Sequence, residues 1–519
     1  MANTVQIYDT TLRDGAQREG ISFSLSDKLA VARKLDDLGV SWIEGGFPGS
    51  NPKDAEFFAR AVKLKFKHAT LVAFGSTRKP GGKTASDPNL KVLVDSGVSA
   101  VCIVAKASDA QVKWVLETTL EENLAMIKDS VTFLKSKGMT VFVDAEHFFD
   151  GYKENPEYSV QCLATAQKAG ADCLVLCDTN GGSLPDEIAG VITEVLEALP
   201  GAAIGIHAHN DAEVAVANSL AAVDAGAVQI QGTINGYGER VGNASLCSII
   251  PNLQLKMGYE CVSEENLKSL LKLSHYVAEI ANQPQNPYLP FVGKKAFAHK
   301  GGIHVAAILK NEDSYQHIDP TLVGNKRRTL VSELSGRGNI IDKAKEFGIE
   351  VTSEKARKVV EEIKSLEAQG FTFEGAGASA QMLMKRSEED YKAPFELIDF
   401  MVVVEQRKGL GVFSEATVKV CVNNEVIHTA AEGNGPVNAL NKALRKALLG
   451  TYPELSKIHL SDYKVRILDS ESGTEAITRV LIDTKNGNDS RWSTVGASTN
   501  IIDASWRALA DSMEYALQK

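Results

Sequence analysis

The chain has 519 residues, of which 44% are hydrophobic and 24% are charged, and its formal net charge at pH 7 is −10. A chain of this length is expected to form two or three domains, and its acidic balance argues against nucleic acid as a partner. No apolar run approaches the roughly 18 residues of a membrane-spanning helix, and no basic, apolar leader precedes the first predicted strand. The seven cysteines are scattered without a disulfide framework. We therefore expect a cytoplasmic protein with no membrane partner.

The first part of the chain alternates short apolar strands with amphipathic helices. Strands are predicted at residues 5–8, 42–44, 70–74, 100–104, 141–145, 173–177, 203–206 and 229–232. Helices are predicted at residues 27–39, 52–64, 89–96, 119–137, 158–169, 185–199 and 212–225. Eight strand–helix units at this spacing predict a TIM (β/α)8 barrel over residues 1–282, in the α/β class, rather than an open doubly wound sheet.

Polar side chains follow the predicted strands at the end where a barrel carries its active site. They are Arg13 and Asp14 after the first strand, Glu44 at the second, Asp144 and Glu146 at the fifth, Asp178, Thr179 and Asn180 at the sixth, and His207 and His209 at the seventh. A glycine-rich loop with polar groups, residues 236–244, follows the eighth strand. Because the carboxyl ends of barrel strands meet at one face, we expect these side chains to converge there.

Two histidines at the end of the seventh strand indicate a metal site. His207 and His209 are two residues apart on an extended segment, so their imidazoles point to the same side. Asp14 could supply the oxygen ligand that the two imidazoles lack, which would give three ligands with positions open for substrate. The alternative is that both histidines are ordinary polar residues of a surface loop.

The pattern changes after residue 282. Residues 283–287 (QPQNP) break the regularity, residues 345–385 look helical with charged faces, and the segment between them carries His299, His304 and His317. We interpret residues 283–390 as a linker region with helical subdomains. His299 is interpreted as structural.

The C-terminal part contains an internal repeat. Residues 429–444 resemble residues 493–509, and each copy is predicted to have three strands followed by a helix. A duplicated βββα unit with no convergent titratable cluster predicts an α+β regulatory or oligomerisation domain over residues 391–519.

Three separated segments resemble the signatures of a known family. They are residues 9–15 (DTTLRDG), 207–211 (HAHND) and 238–244 (GERVGNA). Together they are similar to the metal-dependent acyl-CoA Claisen condensing enzymes, the family of the 2-isopropylmalate, homocitrate and citramalate synthases and of lyases that run the reverse chemistry. The duplicated tail resembles the allosteric domain of the amino-acid-regulated members. Residues 315–325, followed by 332–337, look most like the longer citramalate synthases.

The resemblance implies that acetyl-CoA adds its methyl carbon to the ketone of a 2-oxo acid and that the thioester is then hydrolysed. Similarity to the citramalate branch implies pyruvate as the 2-oxo acid, isoleucine as the feedback effector with leucine next, and a homodimer. The alternatives are a 2-isopropylmalate synthase acting on 2-oxoisovalerate in leucine biosynthesis, a lyase, and a non-catalytic amino-acid sensor. The complete set of barrel-end side chains argues against the sensor.

The resemblance also assigns roles to the barrel-end residues. Asp14, His207 and His209 would hold a divalent metal, and the ions that suit this ligand set are Mn, Mg, Zn and Co. Asn243, carried over from the glycine-rich motif, would complete the ligand set. Asp211 is expected either to support a ligand or to cap the next helix.

The remaining roles concern the substrates. Arg13 is expected to stabilise the ketone oxygen as it becomes an alkoxide, or else to form an ion pair with Glu44. Thr179 would hydrogen-bond the substrate carboxylate or, alternatively, cap a helix, and Glu44 completes the predicted substrate-binding set. Glu146 is expected to orient the reacting groups or to assist proton transfer.

Abstraction of a proton from the acetyl methyl group needs a base. His304 and Tyr315 are the candidates, because the family places a comparable His and Tyr in the linker. They would have to reach a barrel mouth, which we expect to be that of a neighbouring subunit. For the coenzyme A phosphates, Lys300 and residues 326–328 are only weak candidates, and a solvated basic turn is the simpler interpretation of 326–328.

Overall fold

The computed structural model describes residues 4–408, 411–468, 470–487 and 490–518. It contains two compact units, one formed by the chain up to Phe297 together with Ile318–Lys326, and one formed by Ala298–His317 together with the chain from Arg327 onwards. Residues 1–3, where no leader is expected, lie outside the described part. Among the described residues, no helix has both the length and the apolar character needed to cross a bilayer.

The first unit contains a closed barrel of eight parallel strands in chain order, with the first strand paired to the eighth. The predicted (β/α)8 barrel is therefore confirmed. Its strands are β1 Gln6–Asp9, β2 Trp42–Glu44, β3 Thr70–Ser76, β4 Ala100–Lys106, β5 Thr140–Glu146, β6 Cys173–Asp178, β7 Ile204–Ala208 and β8 Gln229–Gly232. Its helices are α1 Leu25–Leu38, α2 Pro52–Ala61, α3 Pro88–Asp95, α4 Asp109–Trp114, α5 Leu120–Ser136, α6 Phe148–Glu154, α7 Pro156–Lys168, α8 Pro185–Ala198, α9 Ala215–Asp224, α10 Leu246–Leu255, α11 Glu264–Leu267 and α12 Leu270–Ile280.

Local sequence signals set the ends of these helices. In α1, the Ser24 side chain accepts a hydrogen bond from the backbone N–H of Asp27, whose carboxylate accepts one from the Ser24 N–H in return. The same helix ends at Gly39, whose φ of 92° suits a residue without a Cβ. Helices α2, α3, α7 and α8 begin with proline, whose fixed φ suits the first helical position.

The barrel has helices that the sequence prediction lacks (α4, α6 and α10–α12), and one predicted helix has a different start. The helix predicted at 212–225 begins at Ala215, because the preceding residues form a turn in which Glu213 has a φ of 60°. The N-cap residue of this helix offers no capping side chain, and the Asp211 carboxylate accepts hydrogen bonds from Arg240 instead, so the expected cap at Asp211 is wrong. Helix α6, absent from the prediction, follows His147 in a left-handed conformation with a φ of 56°.

The barrel interior is packed below its polar end. Alternate strand residues point inward, and those of several strands form one buried cluster that includes Tyr8, Phe142, Cys102 and Cys177. The Phe142 ring meets the Tyr8 ring edge-on with centroids 5.6 Å apart. All seven cysteines are free, in line with the absence of a disulfide framework. The packed layer gives the polar groups above it a rigid floor.

The second unit contains the helical linker and the duplicated module. Its elements are β9 Ala298–His299, α13 Gly302–Ile308, β10 Arg328–Thr329, α14 Arg337–Glu346, α15 Ser353–Ala368, α16 Gly377–Arg386, β11 Glu396–Arg407, β12 Gly411–Val422, β13 Glu425–Gly433, α17 Pro436–Leu448, β14 His459–Ile467, β15 Thr478–Lys485, β16 Arg491–Ser498 and α18 Ile501–Leu517. Strands β11–β13 and β14–β16 form two antiparallel three-stranded sheets, each followed by a helix. The predicted duplicated βββα units are therefore confirmed. The proposed division at residues 282 and 390 stays a prediction.

Candidate active site

The two histidines and Asp14 are placed by the ends of neighbouring barrel strands. His207 lies inside β7, and His209 follows the last residue of that strand. Asp14 follows β1 in a tight turn, in which the Thr10 carbonyl accepts hydrogen bonds from the N–H groups of Arg13 and Gly15. The Thr10 hydroxyl oxygen also accepts one from the Asp14 N–H at 3.3 Å. This turn brings the Asp14 carboxylate over the barrel interior.

The three predicted ligands meet at one point. Asp14 Oδ2 lies 3.2 Å from His207 Nε2 and 3.8 Å from His209 Nε2, and the two Nε2 atoms are 3.3 Å apart. Ligand atoms that share one ion at about 2.1 Å are separated by about 3.0–3.5 Å. Two of the three separations lie in this range and the Asp14–His209 distance is 0.3 Å longer, and the three side chains are buried, so the group could hold a divalent metal.

Asn243 completes this group. The backbone of the glycine-rich loop pairs with the segment after β7, as a bridge between His209 and Asn243 shows. Asn243 Nδ2 lies 3.2 Å from Asp14 Oδ2 and 3.0 Å from His207 Nε2. Rotating the side-chain amide by 180° exchanges the positions of Nδ2 and Oδ1, which have nearly the same shape. Oδ1 would then face Asp14 Oδ2 and His207 Nε2.

Unpartnered buried atoms test whether these residues fit a metal. Oδ1 of Asp14, Oδ1 of Asn243 and Nδ1 of His209 are buried without a hydrogen-bond partner. Such orphaned groups are rare in folded proteins, because each costs about 1–3 kcal/mol. A cation bound by the carboxylate and the reoriented amide would satisfy both oxygens, so the donor set fits a divalent ion.

The charges of the group also suit a metal. Burial by itself would raise the pKa of the Asp14 carboxyl, but the Arg13 guanidinium and the two imidazoles outweigh burial and hold that pKa far below its usual range. Burial and the neighbouring His207 lower the pKa of His209 to about 4. An anionic carboxylate and a neutral imidazole are the protonation states that bind metals. Burial alone would lower the pKa of His207, but the Asp14 carboxylate outweighs burial and raises that pKa, so a metal would take the place of a proton on His207.

Arg13 is anchored by Glu44. The Glu44 carboxylate accepts hydrogen bonds from Tyr8 Oη at 2.7 Å, Thr10 Oγ1 at 2.7 Å and Arg13 Nε at 2.5 Å. The ion pair considered as the alternative role of Arg13 is therefore present. Three donors of the chain already occupy the Glu44 carboxylate, so its position is suited to holding Arg13. Contact between Glu44 and the substrate stays a prediction.

The guanidinium of Arg13 is also fixed in orientation. It lies over the Phe74 ring, 4.0 Å from the centroid, and Nη1 donates to Asp14 Oδ2 at 3.2 Å. Next to it is a cavity of about 300 Å³ that Arg13 lines with Phe47 and Phe74. A fixed cation beside the ligand group is placed to meet negative charge that develops there.

Glu146 ends β5 and forms an ion pair with Lys106 at the end of β4. Both side chains line a second cavity of about 330 Å³ at the same end of the barrel. Lys106 is absent from the sequence prediction, although it occupies an inward-facing position at a strand end.

Thr179 is tied to the neighbouring loop. Its hydroxyl oxygen accepts a hydrogen bond from the His147 N–H at 2.8 Å, which leaves the hydroxyl hydrogen able to donate to another group. Its carbonyl accepts a hydrogen bond from Arg240, which also pairs with both oxygens of Asp211 at 2.8 Å. Arg240 and Asp211 therefore hold the Thr179 loop against the segment that carries His209.

His304 and Tyr315 belong to the second unit, whereas the ligand group belongs to the first. Their rings stack, with centroids 4.2 Å apart and planes inclined by 25°. The structure thus brings these two predicted catalytic residues together with each other. Their action as a base at the barrel stays a prediction.

Three known family models match successive parts of the chain. The HMGL-like family model matches residues 4–277, which is more than half of the chain and includes all eight barrel strands. The chain belongs to the HMGL-like family. A homocitrate synthase post-HMGL domain-like region matches residues 291–370, and the LeuA allosteric (dimerisation) domain matches residues 374–517.

Full-length relatives of this HMGL-like chain carry the names of condensing enzymes. The (R)-citramalate synthase of Aquifex aeolicus is 53% identical over 100% of this chain and 99% of its own length. The (R)-citramalate synthase of Geobacter sulfurreducens is 52% identical over 99% of this chain and 98% of its own length. A probable 2-isopropylmalate synthase of Methanopyrus kandleri is 33% identical over 98% and 97%. The chain is an enzyme of the acyl-transferring, condensing type, and the non-catalytic sensor is set aside.

Proposed function

We propose that this enzyme condenses acetyl-CoA with pyruvate and hydrolyses the thioester, giving (R)-citramalate and coenzyme A in isoleucine biosynthesis. The observation that carries the proposal is that four full-length relatives named (R)-citramalate synthase are 50–53% identical to this chain and a fifth is 45% identical, whereas relatives named 2-isopropylmalate synthase are 32–33% identical, as is one more distant (R)-citramalate synthase. The converging barrel-end side chains supply the chemistry that such a reaction needs.

Asp14, His207 and His209 would hold the divalent metal, with Asn243 as the fourth protein ligand. A bound ion polarises the ketone of the 2-oxo acid as a Lewis acid. Two imidazoles with oxygen ligands suit Mn, Mg, Zn or Co, so the proposal names no single metal.

Arg13 stabilises the negative charge that forms on the substrate oxygen. As the acetyl methyl carbon bonds to the ketone carbon, the ketone oxygen becomes an alkoxide, and the guanidinium donates hydrogen bonds to it. Glu44 and Phe74 fix the plane of that guanidinium before the substrate arrives. Thr179 donates its hydroxyl hydrogen to the substrate carboxylate.

Proton transfers complete the reaction. His304, supported by Tyr315, takes the proton from the acetyl methyl group, so that the resulting carbanion equivalent can attack the ketone. Glu146, positioned by Lys106, orients the reacting groups and assists return of a proton to the alkoxide. Water then attacks the thioester carbonyl, and coenzyme A leaves as the thiol.

The C-terminal module would serve assembly and regulation. Its sheets carry exposed apolar side chains, including Met401, Val412 and Val426 at 57–59% exposure, in a region that matches a dimerisation domain. Large exposed apolar surfaces mark interaction sites. We propose a homodimer in the cytoplasm, with isoleucine as the inhibiting effector and leucine as the weaker one.

Release of free thiol tests the proposed substrate. The enzyme is incubated with acetyl-CoA, Mn²⁺ or Mg²⁺, and pyruvate, 2-oxobutyrate, 2-oxoisovalerate or 2-oxoglutarate. We expect strong preference for pyruvate, and inhibition of that reaction by isoleucine. Preference for 2-oxoisovalerate would instead assign the enzyme to leucine biosynthesis, and no release with any of the four would support the lyase.

A further inference from the structure

Gln231 connects a proposed metal ligand to a buried carboxylate. It points into the barrel from β8, between His207 on β7 and Asp144 on β5. Gln231 Oε1 lies 2.8 Å from His207 Nδ1, and Gln231 Nε2 donates to Asp144 Oδ1 at 2.8 Å. All three side chains are buried, so water does not compete for these hydrogen bonds.

The chemistry of the amide fixes the proton on His207. An amide oxygen only accepts hydrogen bonds, so the contact with Gln231 Oε1 requires a hydrogen on Nδ1. A neutral imidazole carries one hydrogen, so Nε2 must then hold a lone pair. Nε2 is the atom that faces Asp14 and His209.

Asp144 fixes the orientation of that amide. A glutamine side chain can present either its oxygen or its NH₂ group to a neighbour, and the second choice would impose the wrong tautomer on His207. Burial raises the pKa of the Asp144 carboxyl to about 6, and above that pH the ionised carboxylate accepts hydrogen bonds only, so it holds the NH₂ group of Gln231 on its own side. Asp144 therefore fixes the orientation of the Gln231 amide, and the amide fixes the position of the proton on His207.

We propose that Gln231 and Asp144 are positioning residues that hold His207 in its metal-binding tautomer. This inference rests on the proposed metal site and assigns two residues to its support. Hydrogen bonds of this kind to a ligating histidine typically account for a 10–100-fold change in metal affinity.

Gln229 provides a matched control. It lies two residues earlier on β8, points into the same interior and is as buried as Gln231. Its Nε2 contacts Gln6 Oε1 at 3.5 Å. Replacing Gln229 by leucine changes the same volume and polarity one layer away from His207, so it separates a general packing effect from positioning of the imidazole.

The test is the dissociation constant for Mn²⁺, measured on metal-free full-length protein by the EPR signal of free Mn²⁺. We expect Gln231→Leu to bind Mn²⁺ about 10–100-fold more weakly than wild type, and Gln229→Leu to bind it as wild type does. Asp144→Asn should also weaken binding, because an amide at position 144 lets the Gln231 amide turn over.

Exchanging the carboxylate of residue 144 with the amide of residue 231 should restore Mn²⁺ binding. In the double variant Asp144→Asn/Gln231→Glu, the new amide donates to one glutamate oxygen while the other oxygen accepts from His207 Nδ1. Mn²⁺ affinity should recover above that of Asp144→Asn alone, a result that a packing role does not produce. The comparison of the double variant with Asp144→Asn also tests the positioning role if Gln231→Leu fails to fold.

Two results would overturn the inference. One is wild-type affinity in Gln231→Leu, and the other is a double variant that binds no better than Asp144→Asn. Failure of the wild-type protein to bind Mn²⁺, with His207→Ala indistinguishable from it, would reject the proposed metal site itself, and is thereby distinguishable from failure of the positioning role alone.

Discussion

Arg13 is held by three neighbours at the mouth of the barrel. Glu44 accepts from its Nε, Asp14 accepts from its Nη1, and the Phe74 ring lies beneath its plane. An ammonium group cannot reproduce these contacts, because it lacks the planar fork of donors. The identity of this cation therefore matters as much as its charge.

Arg13→Lys tests that geometry. We expect kcat for the condensation to fall about 10²–10³-fold, the usual effect of removing an oriented donor to a developing oxyanion. Mn²⁺ affinity should stay within a few-fold of wild type, since Asp14 and the histidines are unchanged. Arg33→Lys, on the exposed side of α1, is the control and should leave both quantities unchanged. Full activity in Arg13→Lys would contradict the assigned role.

Asp9 gives a pH-dependent contribution to stability. Burial raises the pKa of its carboxyl to about 7, against hydrogen bonds from the Thr11 hydroxyl and N–H that act in the opposite direction. Because the folded state binds the proton more tightly than the unfolded state, the contribution is complete below about pH 4 and is lost as the pH rises through 7.

Asp9→Asn should reveal this loss. Relative to wild type, the variant should gain melting temperature between pH 5 and pH 8, since it has no carboxyl to ionise. At about 1.4 kcal/mol per pKa unit, the two units between pH 5 and the folded-state pKa of about 7 correspond to about 3 kcal/mol in the free energy of unfolding over this pH interval. Thermal unfolding of metal-free protein at the two pH values measures it. A constant difference between the two proteins would contradict the raised pKa.

At the scale of elements, the glycine-rich loop after β8 depends on residues without a side chain. Gly238 has a φ of 156°, and a Cβ there would lie 1.7 Å from Oδ1 of Asn243. A larger residue must therefore displace the Asn243 amide from the ligand group.

Gly238→Ala should weaken Mn²⁺ binding at least tenfold and destabilise the protein by about 1–3 kcal/mol. Gly182→Ala is a suitable control in another loop at the same end of the barrel, because a Cβ at Gly182 meets nothing within 4 Å. Mn²⁺ affinity and melting temperature are measured for both. Equal affinity in the two variants would show that Asn243 does not contribute to binding.

The strands were predictable because they are continuous apolar runs of barrel length, and the ligands because they follow those runs directly. His207, His209 and Asp14 needed only the rule that strand ends converge. Gln231 was harder to identify, since its contacts with His207 and Asp144 join three separate strands. Its signal was an uncharged polar residue at an inward-facing barrel position.

Helix boundaries illustrate a second limit. Helix α9 starts at Ala215 after a turn in which Glu213 has a φ of 60° and the Asn210 side chain accepts a hydrogen bond from the Ala215 N–H. Asp211, the cap that the sequence suggested, pairs with Arg240 from the loop after β8 instead. Such a choice is made by tertiary contact, which a local pattern does not contain.

At the scale of the second unit, the linker helices and the duplicated module share buried contacts. Ser379 and Arg386 of α16 hydrogen-bond Asp511 of α18, and Arg386 also pairs with Glu514. The apolar cluster of the linker helices includes Val495 and Ala497 of β16. The second βββα copy is therefore built onto the linker rather than joined to it by a free tether.

Truncation after residue 390 should consequently fail to give a stable protein. It would expose the buried face of α16 and leave Arg386 without its two carboxylates. We expect aggregation or a melting temperature lowered by at least 5 °C, since a loss of about 1 kcal/mol already shifts it by several degrees. A soluble fragment 1–390 that melts with the full chain would contradict this arrangement.

For the whole molecule, the central claim is that the group of Asp14, His207 and His209 binds a divalent metal that pyruvate condensation requires. The most direct measurement is pyruvate-dependent thiol release by chelator-treated enzyme, before and after Mn²⁺ is restored, in wild type and in His207→Ala. We predict no release without metal, recovery in wild type, and none in the variant. Release by metal-free enzyme, or full recovery in His207→Ala, would contradict the account.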